Sequence, residues 1–298
     1  MRQKGIALIQ VLLLSTILTV MLLSMHHQAR QHLKLAQAVR DYTFANMALQ
    51  SAEAEILFTM LSTQPALMHQ REGLQQWNFH GQPFEFNGVE LQVQDTSGLL
   101  NAASPPEFLL TRFTERYASS AALGRQLSSA LADWQDKDDL PRLDGAEQQD
   151  YAEGFIRNAP IQYIEEWLFV KGVTPELFQR IRPLLTLFPQ GVNLNQQPDA
   201  LWQLSLDDTD YKELHLAREK GQLTSQLYET VTGRVVDEFD RFSTGPGYRI
   251  NFTVQNGDVR LSREMTFRLM PYQKQPFDIY EYRMRTPPTD IMNAVSLN

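Results

Sequence analysis

Residues 1–27, MRQKGIALIQVLLLSTILTVMLLSMHH, decide the fold. Arg2 and Lys4 lead to Gly5. From Ile6 to Met25 the run is mostly Leu, Ile, Val and Met, interrupted by Gln10, Ser15, Thr16, Thr19 and Ser24. A helix of about 20 apolar residues crosses the hydrocarbon core of a bilayer. A basic flank before it favours a cytoplasmic N-terminus. A cleaved secretory signal would need a small-x-small site after the apolar run. Here SMHHQARQHLK follows, with bulky residues where small ones belong. The segment is expected to remain as a membrane helix.

Residues 29–62, ARQHLKLAQAVRDYTFANMALQSAEAEILFTMLS, contain no Gly or Pro. Leu35, Ala38, Tyr42, Ala45 and Leu49 recur at three- and four-residue steps, which places them on one helix face. One unbroken stem over 6–61 is predicted, half in lipid and half in water. A continuous stem suits side-by-side packing with other helices. A single-pass anchor with a helical neck would carry the same pattern.

The 298 residues can form one large domain or two modest ones. Hydrophobic content of 43% and charged content of 21% are ordinary for a folded chain. The net charge of -8 opposes binding to phosphate backbones unless a local basic face exists. With no cysteine, disulfides and thiolate metal sites are excluded.

Beyond the stem, residues 62–90 mix Gly, Pro and aromatics and read as turns and short strands. Residues 89–107, VELQVQDTSGLLNAASPPE, read as a strand, a turn at Thr96-Ser97-Gly98 and an extended exit. Residues 108–134 predict two helices. Residues 165–189, EEWLFVKGVTPELFQRIRPLLTLFP, predict a helix, a hairpin at Gly172 and a second helix. That second helix has Thr174 as cap, Pro175 at its first position and Glu176 at its positive end. Pro183 ends or kinks it. Residues 207–222 predict a helix closed by Gly221. Residues 248–272 predict two strands joined at Asn256-Gly257, a hairpin signal. From Gln273 onward periodicity is lost and fraying is expected. The sum is an α+β fold: a long N-terminal helix, a small antiparallel sheet, and a large helical block inserted between its strands.

Residues 131–154, LADWQDKDDLPRLDGAEQQDYAEG, are the most chemically loaded. Asp133, Asp136, Asp138, Asp139, Asp144, Glu147, Asp150 and Glu153 face only Lys137 and Arg142. Calcium takes about six to eight oxygens, often from carboxylates on a turn-rich loop. The spacing is not that of an EF-hand. A solvated loop capping two helices fits the composition as well. A glycosidase pair would need two carboxylates fixed across a cleft, and nothing here supplies that.

Two resemblances extend this reading. KGIALIQVLLL, residues 4–14, resembles the start of type IV pilins and pseudopilins. That resemblance implies peptidase cleavage between Gly5 and Ile6 and N-methylation at Ile6. The class carries Glu at the fifth position after the cut, where this chain has Gln10. In the class, that Glu pairs with the amine of a subunit already in the filament, a pair strengthened by lipid. A first subunit has no such neighbour. DTSGLLNAA (95–103), DWQDKDDLPRLDGAEQQDY (133–151), LFVKGVTPELFQRIRPLLTLFP (168–189) and VNLNQQPDAL (192–201) then follow in order. Together they resemble the minor pseudopilin K family of type II secretion systems. The resemblance implies a pilin-like core over 6–61, 62–105 and 241–285 and a helical insert over 106–240. A leader over 1–5 and a tail over 286–298 complete the layout. It also implies calcium on Asp136, Asp138, Asp139, Glu147 and Asp150. Gln148 departs from the family by standing where an acid is frequent, and Gln196-Gln197 where Thr-Ala is usual.

The implied function is to cap the pseudopilus tip and initiate its assembly, for export of folded periplasmic proteins across the outer membrane. The implied partners are minor pseudopilins I and J, other pseudopilins, the inner-membrane secretion platform and the prepilin peptidase. The expected contact face is the aqueous stem from Leu35 to Leu49. The expected location is the inner membrane with a periplasmic head. The competing reading is a membrane-anchored DNA receptor, since FVKGVTPELFQRI (169–181) resembles a helix-hairpin-helix. Glu165, Glu166 and Glu176 offset Lys171, Arg180 and Arg182 there, so no nucleic-acid binding is expected. No enzyme motif is present, and the six histidines lack ligand spacing. Trp134, Trp167 and Trp202 are expected as core anchors.

Overall fold

The computed structural model describes residues 4–152, 155–237 and 240–285. The tail over 286–298, Glu153 and leader residues 1–3 lie outside the described residues.

The chain begins with one helix, α1 (Lys4–Ser62), unbroken for 59 residues. Nothing in its sequence breaks it before Pro65. In the apolar half, the hydroxyls of Ser15, Thr16 and Thr19 donate to carbonyls three or four residues back. These three hydroxyls are thereby satisfied within the helix, as an apolar surrounding would require. From Ala45 onward one face is buried: Ala45, Leu49, Ala52, Ile56 and Met60.

That face packs on a sheet. Strand β1 (His80–Phe86) turns through Asn87-Gly88 into β2 (Val89–Asp95). A single-turn 3-10 helix at Thr96–Gly98 and β3 (Leu100–Asn101) follow. Helices α2 (Glu107–Ala118) and α3 (Ala121–Asp133) come next, split at Ser119, which is left-handed at φ 53°. After the acidic loop come α4 (Pro175–Ile181), β4 (Leu185–Thr186) and β5 (Val192–Asn193). Three more helices are α5 (Asp199–Ser205), α6 (Asp208–Glu219) and α7 (Ser225–Thr232). The chain then returns through β6 (Asp240–Arg241) to β7 (Gly247–Asn256), β8 (Val259–Leu269) and β9 (Phe277–Arg285).

The main sheet has the order β1-β2-β7-β8-β9 and is antiparallel throughout. Strand β2 pairs directly with β7, Glu90 opposite Thr253 and Asp95 opposite Tyr248. Everything between them is thus an excursion from one ladder. Val89, Leu91, Val93, Tyr248, Ile250, Phe252, Met265 and Phe267 bury against the stem. The helices form a second core around Leu110, Phe113, Leu131, Trp134, Trp167 and Phe178. A smaller core joins Trp202, Leu214 and Tyr228. The three tryptophans are core residues, each 1–2% exposed. β3 pairs with β4, and β5 with β6, both parallel.

Two expectations are corrected. Residues 165–170 do not form an α-helix. Ile164–Phe169 is a 3-10 segment, and its N-terminal turn is closed by Glu166 accepting from the backbone of Gln162 and Tyr163. The stretch after Gln273 does not fray as a whole, because β9 completes the sheet on the open edge of β8. Its periodicity is hidden by a bulge. Thr266 faces Glu281 while Phe267 faces Ile279, leaving Tyr280 as an extra residue. Alternation therefore slips by one midway.

Candidate functional site

The acidic loop closes on itself around Asp133, the last residue of α3. This carboxylate is fully buried and accepts from the Arg142 backbone at 3.1 Å and the Ala146 backbone at 2.9 Å. Arg142 Nη1 also reaches it at 2.6 Å and bridges to Asp136. Asp144 takes the left-handed region at φ 64°. Gly145 must be glycine, because a Cβ there would lie 1.9 Å from Asp133 Oδ2. The turn swings Glu147 back toward the helix end. Carboxylate oxygens of Asp133, Asp136 and Glu147 then all lie within 4.8 Å of one another.

Among the described residues, neither carboxylate oxygen of the buried Glu147 has a hydrogen-bond partner, and neither does Asp136 Oδ1. Glu147 lies in a shallow depression with Asp139 and Gln148, covered but close to the surface. Loss of hydration raises its pKa, and the charges of Asp133, Asp136, Asp139 and Asp138 push it the same way. Like charges held together with unpaired oxygens call for a cation. Hard oxygen donors in an irregular loop fit a calcium-type ion.

The sequence-predicted ligands are only partly brought together. Asp136 and Glu147 lie in the cluster, and Asp139 lines the same depression. Asp138 accepts instead from the Leu140 backbone at 3.0 Å. Asp150 is held by Lys171 Nζ at 2.6 Å and caps the Glu147 backbone at 3.1 Å. Asp133 belongs to the acidic stretch but not to the ligand set, which follows the family resemblance. Its three-residue spacing to Asp136 was the available signal.

The stem divides the predicted assembly face. Leu35, Ala38 and Tyr42 are exposed. Ala45 and Leu49 are not available to any partner, being 0% and 1% exposed in this chain's own core. The five residues do share one helix face, but from Ala45 onward that face meets the sheet. A different stripe is exposed: Leu33, Phe44, Met47 and Phe58. At 100° per residue they fall within about 60° of one another, turned away from the sheet. Gln10 is exposed in the apolar half, and Gly5 and Ile6 lie in the first turn of α1.

The hairpin at Gly172, φ 91°, is an internal packing element. Lys171 pairs with Asp150, and Arg180 lies 4.9 Å over the Tyr117 ring. Arg182 binds Glu165 at 3.2 Å and Glu264 at 3.0 Å. Its cations are engaged within the chain, and this geometry does not favour the DNA-receptor reading.

Comparison with known proteins agrees with this architecture. A family model described as type II secretion system (T2SS), protein K, matches residues 86–190. The type II secretion system protein K of Klebsiella pneumoniae is 30% identical, over 73% of this chain and 76% of that protein. A putative type II secretion system protein K of Escherichia coli K12 is 24% identical, over 76% and 78%. Among solved structures, the crystal structure of the GspK-GspI-GspJ complex from enterotoxigenic Escherichia coli contains a similar chain. It matches with TM-score 0.54 and 19% identity, covering 83% of this chain and 99% of that one. A long stem helix, a five-stranded antiparallel sheet with a helical excursion, and relatives matched over most of their length lead to one conclusion: this chain belongs to the type II secretion system protein K family.

Proposed function

We propose that the chain caps the tip of the type II secretion pseudopilus and starts its assembly, together with minor pseudopilins I and J. Its stem spans the inner membrane and its head stands in the periplasm, after prepilin peptidase cuts between Gly5 and Ile6 and Ile6 is methylated. The observation that carries this reading is the width of the head. A second core, built between β2 and β7, sits beside a pilin-like stem and sheet. Regular packing of such heads along a filament is sterically opposed, whereas a terminal position is not. Gln10 supports the same position, since a first subunit has no amine to pair with. A structurally similar chain is found in a complex with GspI and GspJ, which makes those two the expected partners.

The head also holds calcium, with Asp133, Asp136 and Glu147 as carboxylate ligands and Asp139 beside them. Arg142 already offsets Asp133 and part of Asp136; the ion supplies the positive charge that Glu147 and Asp136 Oδ1 lack and fixes the loop against α3. Asp150 acts from behind, orienting the Glu147 turn while paired with Lys171.

The test is coexpression of the full chain with minor pseudopilins I and J of its own secretion system. A stoichiometric three-subunit complex is expected, with pseudopilus number falling in cells lacking the chain. Isolation of the chain evenly distributed along pseudopili would overturn the tip assignment.

A further inference from the structure

The first 40 residues contain no Asp or Glu, and Asp41 is the first acid in the chain. All of the chain's negative charge therefore lies in the head and the lower neck. Just past the apolar run, His26, Arg30 and Lys34 recur at four-residue steps, so they share one side of α1. His27 stands beside them and bonds Gln31 at 2.9 Å. All of residues 26–34 are exposed, and Arg30 and Lys34 form no ion pair within the described residues.

Depth then becomes decisive. At 1.5 Å per residue, Arg30 stands about 8 Å and Lys34 about 14 Å beyond Met25. The headgroup layer is about 5–8 Å thick on each side of the hydrocarbon. Side chains on a helix lean toward its N-terminus, which here is toward the bilayer. The long stems of Arg30 and Lys34 therefore bring their charges down into the headgroup layer.

We propose that His26, Arg30 and Lys34 form a ridge that binds anionic phospholipid headgroups in the leaflet beneath the head. The inference rests on reading residues 6–25 as a membrane span. An acidic protein surface would complement the same charges, but the ridge lies at lipid depth and continues directly from the apolar run. It also meets a need of this chain. A net acidic head is repelled by an anionic surface, and the ridge offsets that repulsion where head and membrane are closest.

The test uses the full chain reconstituted in phosphatidylcholine vesicles containing about one-third phosphatidylglycerol. Flotation with the vesicles reports the span. Spin-labelled phosphatidylglycerol and phosphatidylcholine report which lipid the stem retains. The native chain is expected to favour phosphatidylglycerol by about fivefold for each engaged cation at low salt. The preference should fall to near parity in R30Q/K34Q and at 1 M salt, and should persist in R125Q, which alters an exposed head cation. Flotation without a phosphatidylglycerol preference, or a preference unchanged in R30Q/K34Q, would overturn the ridge while leaving the span intact. Failure to float would overturn both.

Discussion

Glu147 is the most exacting side chain in the head. Its oxygens are buried, unpaired and surrounded by like charge. Each of those conditions destabilises the apo loop, and one bound divalent cation relieves all of them. Calcium should therefore raise the melting temperature of the full chain, and a chelator should reverse the gain. Ligand at about 100 times its Kd stabilises by about 2.7 kcal/mol. In a protein of this size that corresponds to roughly 4 °C. E147Q and D133N should lose the shift, read by scanning calorimetry with and without calcium. A shift of native size in E147Q would remove Glu147 from the ligand set. Gly145 gives a second, steric test. G145A places a methyl group against Asp133 and should cost about 1–3 kcal/mol, in the range of overpacking penalties. The acidic composition announced this site in the sequence, but its geometry was not legible there. Eight acids lie in residues 131–154, and the left-handed turn at Asp144 decides which of them meet.

The stem shows the same limit at the scale of an element. Its length, its continuity and the spacing of its apolar residues were readable because a helix repeats every few residues. What lay against the face was not, because that depends on β7 and β8, some 200 residues later in the chain. Two substitutions separate the roles. L49A removes a side chain buried in the head and should cost about 2–5 kcal/mol, with little direct effect on subunit contacts. M47D/F58D alters the exposed stripe and should leave the head's melting temperature within a degree or two. It should nevertheless reduce recovery of the complex with I and J at least tenfold in pull-down. Equal recovery of native and M47D/F58D chains would exclude the stripe as the contact. Strand β9 lies within the 241–285 span that the resemblance assigns to pilin-like strands, but local periodicity does not show it, for a related reason. A single bulge at Tyr280 shifts its alternation, and the open edge of β8 that recruits it is invisible to a local reading.

At the scale of the molecule, the question is what makes stem, sheet and helical excursion behave as one body. Two polar seams do so, one on each side of the sheet. On one, Arg263 reaches from β8 to Glu53 of the stem at 2.8 Å. On the other, Arg182 joins Glu264 of β8 to Glu165 of the 3-10 segment, which also pairs with Arg283 of β9. Burial disfavours the Glu165 charge, but hydrogen bonds from Arg283 and Arg182 outweigh it and hold its pKa down to about 2. That group supplies stability above its unfolded value of about 4.5, lost as pH falls toward 2.

His80, at the start of β1, acts over a different range. It is buried beside Arg218, with Nε2 unpartnered and Glu219 no closer than 3.7 Å. Burial lowers its pKa to about 3, and Arg218 and His215 add to the shift while Asp199 opposes it. The folded protein then binds no proton at His80 where the unfolded chain does, so stability declines as pH falls below about 6.5 and continues to decline toward 3. Between pH 6.5 and 4.5 the Glu165 pair is still intact, so the His80 contribution can be read separately. The slope from this one group approaches about 1.4 kcal/mol per pH unit. Replacing His80 with Gln removes the titration and keeps a polar side chain of similar size. Denaturant unfolding of native chain and H80Q at pH 7 and pH 5 should therefore give a difference that narrows, or changes sign, in favour of the variant at pH 5. A difference independent of pH would mean that His80 is solvated in the folded protein.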